Sequence, residues 1–157
     1  IKRKSDKEAL RKAVARRLPG AVATDHAPHL LSEKGGNYTQ APSGLPTIQH
    51  SLRMMLQLSK KGIFPIETVV EMLSHAPART FSIQKRGFIR EGYFADLTIV
   101  DREKSHPATP AYKCGWSPIS EEELDFGVAH TFVNGIQVVS DYTLTGTKAG
   151  KRLTFDR

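Results

Sequence analysis

The sequence lacks several features that would assign it to a particular class of protein. Its 157 residues contain a single cysteine, Cys114, which excludes an internal disulfide and fits a reducing cytoplasm. No apolar run approaches the roughly 20 residues that a membrane-spanning helix needs. The chain also begins with Ile1 rather than methionine, and we therefore expect it to be a piece of a larger protein. The single cysteine and the lack of a long apolar run favour a cytoplasmic protein with no membrane partner.

Common metal-binding motifs are also missing. The sequence contains no H-x-H pair, no H-E-x-x-H motif and no pair of cysteines, so it does not by itself predict a complete zinc site. Four histidines are scattered along the chain, and we expect ordinary packing or solvent exposure for each of them: His50, His75, His106 and His130.

The net charge is the one feature that favours a nucleic-acid partner. Lysine and arginine number 23 against 16 aspartates and glutamates, which gives a formal charge of +7. The basic residues are scattered along the chain with acidic residues between them, and no RNA-binding or helix-turn-helix signature accompanies them. We therefore expect a solvated basic surface and no nucleic-acid partner. A nucleic-acid-binding module stays an alternative, and its affinity would fall steeply with rising salt.

Apolar residues at helical spacing predict three helices in the first half of the chain. The first covers residues 6–18, and Ser5 together with Glu8 forms the pattern of a capping box at its start. The second begins at Ile48 and ends at Gly62, the third lies in "PIETVVEML", and "APARTF" adds a short helical turn. The side chains expected to face inward from the second and third helices are Ile48, Leu52, Met55, Leu56, Ile66, Val69, Val70 and Leu73.

Short apolar segments predict β-strands before and after these helices. The segment "AVAT" is small and apolar, as expected of a buried parallel strand. From Gly87 onward the chain is rich in β-forming residues, notably in "GYFADLTIVD" and "HTFVNGIQVV". Asn134–Gly135 between apolar runs indicates a hairpin, because both central residues of a type I′ turn need positive φ. The expected order is helix, strand, long loop, helices and antiparallel strands.

The segment "ATDHAPH", residues 23–29, is the main candidate for a functional site. It places Asp25, His26 and His29 after the expected strand and before a loop that runs to about Pro46. In an α/β barrel, catalytic groups lie where strands end and the following loops begin. A carboxylate there can bind a metal or act as a general base, and neutral imidazoles can bind metals or donate hydrogen bonds. The pattern is also compatible with an ordinary loop cap or surface turn.

Five segments, taken in order, carry a resemblance to a known family: "ATDHAPH", "APSGLPTIQHSL", "LSHAPARTF", "GFIREGYFADLTIVD" and "GWSP". Together they resemble the C-terminal part of dihydroorotases, which are cyclic amidohydrolases of the amidohydrolase superfamily, and the resemblance covers nearly the whole chain. The pattern built from Gly87, Ile89, Gly92 and residues 95–97 indicates only the superfamily. Residues 24–29 discriminate better, because the related hydantoinases and allantoinases usually lack the last histidine.

The resemblance implies a fold class and a division of the chain. Dihydroorotases combine a (β/α)8 TIM-like barrel with a small β-sandwich domain, and a full barrel needs about 250 residues. We therefore expect an α/β chain in which residues 1–82 form the end of the barrel. Residues 83–157 would contribute the C-terminal strands of the β-sandwich and a tail. The remaining N-terminal part of the same protein would complete both domains.

The resemblance also implies a chemistry. Dihydroorotases use two Zn²⁺ ions in the reversible hydrolysis of dihydroorotate to N-carbamoyl-aspartate, a step of pyrimidine biosynthesis. Asp25 matches the aspartate that binds metal and transfers the proton of the attacking water. His29 matches the histidine that binds the substrate carboxylate, and Pro42, Ser43 and Gly44 match the segment whose backbone contacts the substrate. Most metal ligands would lie outside this chain, so we expect the chain alone to be inactive.

Two other functions stay open. Some members of the superfamily lose their metal ligands and serve as non-catalytic scaffolds or partner subunits, and the intact Asp25 argues mildly against this. Another cyclic amidohydrolase, of the allantoinase or hydantoinase type, would be distinguished by His29 and by a substrate without a carboxylate. The expected partners are a small-molecule substrate, the N-terminal part of the same protein and further copies in a homo-oligomer.

Overall fold

Helices occupy the first half of the chain and antiparallel strands the second half. The computed structural model describes residues 3–102, 106–107, 113–119 and 123–156. The helices are α1 (Lys4–Ala15), α2 (Ser51–Lys60), α3 (Ile66–Val70) and α4 (Ala76–Thr80). The strands are β1 (Leu97–Asp101), β2 (His106–Pro107), β3 (Glu123–Leu124), β4 (Gly127–Val133), β5 (Ile136–Ser140) and β6 (Thr143–Leu144). Two 3₁₀ turns, Leu31–Lys34 and Ile48–His50, lie in and after the long loop.

The first helix, α1, begins and ends earlier than the sequence predicts. The residue that precedes it is Arg3, and no side chain of the described residues caps the helix. The predicted capping box is therefore wrong, because a capping serine must lie just before the helix and Ser5 lies inside it. The helix ends at Ala15, and Arg17 adopts a φ of 55°, the left-handed conformation that stops a helix.

The second and third helices supply most of the buried core. Met55 and Leu56 of α2 and Val69 of α3 are at most 7% exposed and pack with Phe64 and Phe126. Phe126 lies next to β4, so this cluster joins the helices to the strands. The core positions predicted within the two helices are thus correct for these three side chains. The predicted division of the chain after residue 82 stays a prediction.

Three other residues that were predicted to face inward are exposed among the described residues. Ile48, Ile66 and Val70 are 58%, 43% and 45% exposed. The described residues cover only part of the apolar face of these helices. Ile66 and Val70 line an open groove of about 830 Å³ that α2 and α3 form with β1. After α3 the helix continues through a π-helical turn, Glu71–His75, into α4, as expected from "APARTF".

The β-structure is a four-stranded antiparallel sheet in the order β1-β4-β5-β6, with β2 and β3 forming a separate pair. Asn134 and Gly135 join β4 to β5 with φ values of 53° and 80°, which confirms the predicted hairpin. Among the described residues, no helix has both the length and the apolar character needed to cross a membrane.

Asp96, from the superfamily pattern, fixes this hairpin. Its Oδ1 accepts the backbone N–H of Asn134 at 2.7 Å, and its Oδ2 pairs with the guanidinium of Arg86. Arg86 in turn donates to Oδ1 of Asn134 at 2.6 Å. The carboxylate therefore joins the segment before β1 to the turn between β4 and β5, and this part of the pattern has a structural role.

The strand predicted for "AVAT" is wrong. Residues 21–25 belong to none of the strands of the described chain. Val22 donates its N–H to the Met72 carbonyl at 3.1 Å, and His26 forms a single parallel bridge with Leu45. A parallel strand needs a continuous ladder to a neighbouring strand. No described segment offers that ladder to residues 21–25.

Candidate active site

The loop that follows residue 24 folds back on itself. We call residues 24–29 the outgoing arm and residues 42–48 the return arm. The Ala27 N–H donates to the Leu45 carbonyl at 3.0 Å, and the Thr47 hydroxyl donates to the Thr24 carbonyl at 3.2 Å. These bonds bring the two segments that carry the predicted site residues together, although they are about 20 positions apart in sequence.

The ring of His26 joins the two arms by hydrogen bonds. Its Nδ1 accepts the backbone N–H groups of Thr47 at 3.0 Å and Ile48 at 3.3 Å. A nitrogen that accepts hydrogen bonds carries no proton, so the ring proton of the neutral imidazole is on Nε2. Both nitrogens are then unsuited to a metal in this arrangement, and His26 acts as a structural residue of the loop.

Asp25 is left exposed where the arms meet. Its φ of 47° places it in the left-handed region, which is uncommon for residues other than glycine but accessible to aspartate. Its carboxylate makes no hydrogen bond or ion pair with another described residue. Strained backbone of this kind tends to occur at functional sites. The structure therefore presents Asp25 as an exposed carboxylate, not engaged by the described residues, at the start of the loop.

His29 lies at the far end of the outgoing arm and is held from two sides. Its carbonyl accepts the indole N–H of Trp116 at 2.8 Å. Its ring Nδ1 lies 3.8 Å from Oε2 of Glu33, and the same oxygen accepts the Leu30 N–H at 2.6 Å. Glu33 thus faces the Nδ1 side of the ring, and Nε2 is the nitrogen left for a ligand.

The return arm is held by a lysine. The Lys34 ammonium donates to the carbonyls of Pro42 and Gly44, the second at 2.9 Å. Pro42 and Gly44 are half-buried, whereas Ser43 is exposed. Sequence reasoning missed Glu33, Lys34 and Trp116, because the contacts that give them a role depend on how the loop folds. Two adjacent charges within the long loop are the signal that could have pointed to the first two.

Behind the return arm lies a buried imidazole. His50 is completely buried in the 3₁₀ turn before α2, and this burial lowers its pKa below the usual 6.5, with a further contribution from the charge of Arg53. Arg53 is also buried, which lowers its own pKa, and it donates to the carbonyls of Phe126 at 2.6 Å and Leu124 at 3.2 Å. His50 is therefore neutral near pH 7, as expected for a packed histidine.

The described residues do not assemble a metal centre by themselves. No group of three or more His, Cys, Asp or Glu side chains within them is arranged to hold a metal ion. The carboxylate of Asp25 is a suitable single oxygen ligand, since it is exposed and not engaged elsewhere in the described chain. Further ligands would have to come from outside these residues.

Comparison with known proteins identifies the family. The sequence profile of the amidohydrolase family matches residues 2–138, so the chain belongs to that family. Among curated proteins it is 33% identical over 123 residues to a dihydroorotase of Methanothermobacter thermautotrophicus. It is 39% identical over 102 residues to one of Methanosarcina mazei, and 33% identical over 135 residues to one of Halobacterium salinarum.

These matches cover most of this chain but a smaller part of each relative. The three alignments include 76%, 62% and 84% of the chain. They include 28%, 22% and 32% of the respective relatives, so the chain spans no more than a third of their length.

Solved structures show the same fold. The whole chain superposes on 37% of dihydropyrimidinase from Brevibacillus agri NCHU1002 with a TM-score of 0.87 and 22% identity. It also superposes on 37% of D-hydantoinase from Bacillus sp. AR9 with a TM-score of 0.86 and 23% identity. These likenesses confirm the predicted fold class, part of a (β/α)8 amidohydrolase barrel together with part of its small β-sandwich.

Proposed function

We propose that this chain carries one side of the active site of a dihydroorotase, which hydrolyses the ring amide of dihydroorotate reversibly to N-carbamoyl-aspartate in pyrimidine biosynthesis. The observation that carries the proposal is the folded loop. Hydrogen bonds between the two arms hold together the segments that carry the exposed carboxylate of Asp25, the imidazole of His29 and the Pro42–Gly44 backbone. The similarity to curated dihydroorotases supports the same conclusion.

Asp25 is the proton-transfer group in this proposal. Its exposed carboxylate would accept the proton of the attacking water and then return it to the leaving nitrogen of the opened ring. The same carboxylate would supply one ligand to a zinc centre whose other ligands lie outside the described residues. Zinc, when bound, lowers the pKa of a water and polarises the amide carbonyl.

His29 and the return arm are the groups that recognise the substrate carboxylate. Because Glu33 faces Nδ1 of His29, Nε2 is the ring nitrogen that a substrate could reach, and with a proton on both nitrogens the ring would donate from Nε2 to an anion. The carbonyls of Pro42 and Gly44 are turned toward Lys34. The N–H groups of Ser43 and Gly44 donate to no other described backbone group. These two amides and the imidazole would form a small anion-binding site.

The rest of the protein is expected to cover the exposed groove. Ile66, Val70 and Ile89 line it and are between 43% and 88% exposed. Apolar surface of this kind usually marks an interaction site. We propose that the N-terminal part of the same protein packs there, and that the complete enzyme is cytoplasmic and forms a homo-oligomer.

The proposal is tested with the longer protein that contains this chain. Purified with zinc, it should open the ring of dihydroorotate and act far less on hydantoin or allantoin. Turnover of hydantoin or allantoin without dihydroorotate would favour the second class of cyclic amidohydrolase. A folded protein that acts on none of the three would favour the scaffold. Residues 1–157 alone should be inactive even with added zinc, because one carboxylate cannot assemble two metals.

A further inference from the structure

The 3₁₀ turn Leu31–Lys34 contacts both halves of the proposed carboxylate site. Two adjacent residues of this turn reach in different directions. Glu33 faces the ring of His29 on the outgoing arm, with Nδ1 and Oε2 separated by 3.8 Å. Lys34 donates to the carbonyls of Pro42 and Gly44 on the return arm. None of the residues in this turn is buried, so it contributes little to the core.

We propose that this turn is a positioning element for substrate recognition, in which Lys34 sets the conformation of Pro42–Gly44 and Glu33 sets the orientation of His29. The inference rests on the proposed function, because it concerns the affinity of the same site for a substrate carboxylate. Neither side chain touches the substrate in this account, so both are positioning residues.

Lys34 is suited to this role by its donors and its place. An ammonium group has three donors, and here two of them bind carbonyls on either side of Ser43. With both carbonyls fixed on the lysine side, the intervening amides are fixed as well. The lysine is half-buried, so its bonds to the arm are shielded from competing water.

The arms themselves do not depend on Lys34. The bonds from Ala27 to Leu45 and from Thr47 to His26 join them closer to the core. Loss of the lysine should therefore loosen the tip at residues 42–44 and leave the protein folded. A loosened tip in a protein that stays folded would distinguish a positioning role of Lys34 from a general structural role.

The test uses Lys34→Met, Lys34→Arg and Glu33→Gln in the longer protein, with Lys151→Met as an exposed control. Lys34→Met should raise the KM for dihydroorotate with kcat changed little, because the amides of residues 43–44 would no longer be held toward the substrate carboxylate. Losing one hydrogen bond to that charged group corresponds to about tenfold in KM. Lys34→Arg should recover most of the affinity, since a guanidinium keeps the donors. Glu33→Gln keeps an acceptor for the Leu30 N–H but loses the charge facing His29, and it should also raise the KM.

NMR relaxation of backbone ¹⁵N gives a second readout that does not depend on activity. In Lys34→Met, the order parameters of the Ser43 and Gly44 amides should fall while those of residues 24–29 stay unchanged. An unchanged KM in an active protein, or a lowered kcat at constant KM together with a lower Tm, would overturn the inference. If the wild type does not act on dihydroorotate, the proposed function fails, and unchanged order parameters at residues 43–44 would then overturn the positioning role separately.

Discussion

Gly44 of the return arm lies directly against Ala27 of the outgoing arm. A Cβ at position 44 would be 2.5 Å from the Cβ of Ala27, and the backbone of Gly44 has a φ of 94°. Real Cβ atoms do not approach one another so closely, so only glycine fits here without movement of an arm. The contact lies between the two segments that carry Asp25, His29 and the return-arm residues.

Gly44→Ala should therefore displace the return arm. We expect a loss of stability of about 1–3 kcal/mol from the unfavourable φ and the overpacking, together with a raised KM for the substrate. Gly146→Ala is the matched control, because Gly146 also has a positive φ of 78° but no atom of the described residues lies within 4 Å of the position that its new methyl group would take. Adding Ala27→Gly to Gly44→Ala should restore part of the affinity. Equal effects of the two alanine variants on KM would contradict a steric role for Gly44.

The second prediction concerns His29. If its ring binds the substrate carboxylate, His29→Ala should raise the KM for dihydroorotate by roughly ten- to a hundredfold, the cost of a hydrogen bond to a charged group. Dihydrouracil has the same ring without the carboxylate, and its affinity as substrate or inhibitor should change much less. A parallel loss for both compounds would mean that His29 is structural.

The third prediction concerns Asp96, which the structure assigns to the hairpin. Asp96→Asn removes the charge that pairs with Arg86, whose side chain is 11% exposed, and should lower stability by about 1–2 kcal/mol. The kcat and KM of the folded protein should stay close to the wild-type values, since Asp96 contacts Asn134 and Arg86 rather than the loop. Thermal unfolding and steady-state kinetics measure the two effects. Loss of turnover at unchanged stability would place Asp96 in the catalytic site instead.

The fourth prediction is a pH dependence of stability due to His50. Its pKa in the folded state is below 6.5, so the unfolded chain binds the proton more readily. Stability from this group is complete above pH 6.5 and falls as the pH drops below that value, by at most about 1.4 kcal/mol per pH unit. His50→Gln should flatten the fall in unfolding free energy between pH 7 and about 5, whatever its effect at pH 7. Identical slopes in the two proteins would show that His50 does not contribute.

The parts of the fold that sequence can predict are those fixed by neighbouring residues. The Asn134–Gly135 turn depends on two residues that tolerate positive φ, and its prediction is confirmed. The helix around Met55 and Leu56 follows from its periodic apolar positions. The strand predicted at "AVAT" is wrong because a strand depends on partners distant in sequence, and periodicity contains no information about them.

Some residues of the candidate site could also be predicted from sequence, and others could not. Asp25, His29 and residues 42–44 can be named from sequence through the resemblance to a family, and their roles stay predictions. The structural role of His26 could not be predicted, because it depends on two backbone amides more than 20 residues away in sequence. In the sequence Glu33 and Lys34 are only two charged residues of a loop, and their contacts with the two arms are seen only in the folded structure.

The most direct test of the central claim is the turnover of dihydroorotate by the Asp25→Asn variant of the longer protein. The amide keeps the size of the side chain but cannot accept the proton of the water, so kcat should fall by about 10²–10⁴-fold while Tm stays near the wild-type value. Metal content should fall as well, since one ligand is weakened. Asp6→Asn, at an exposed carboxylate in α1, is the control and should leave kcat unchanged. A kcat near the wild-type value in Asp25→Asn would contradict the account.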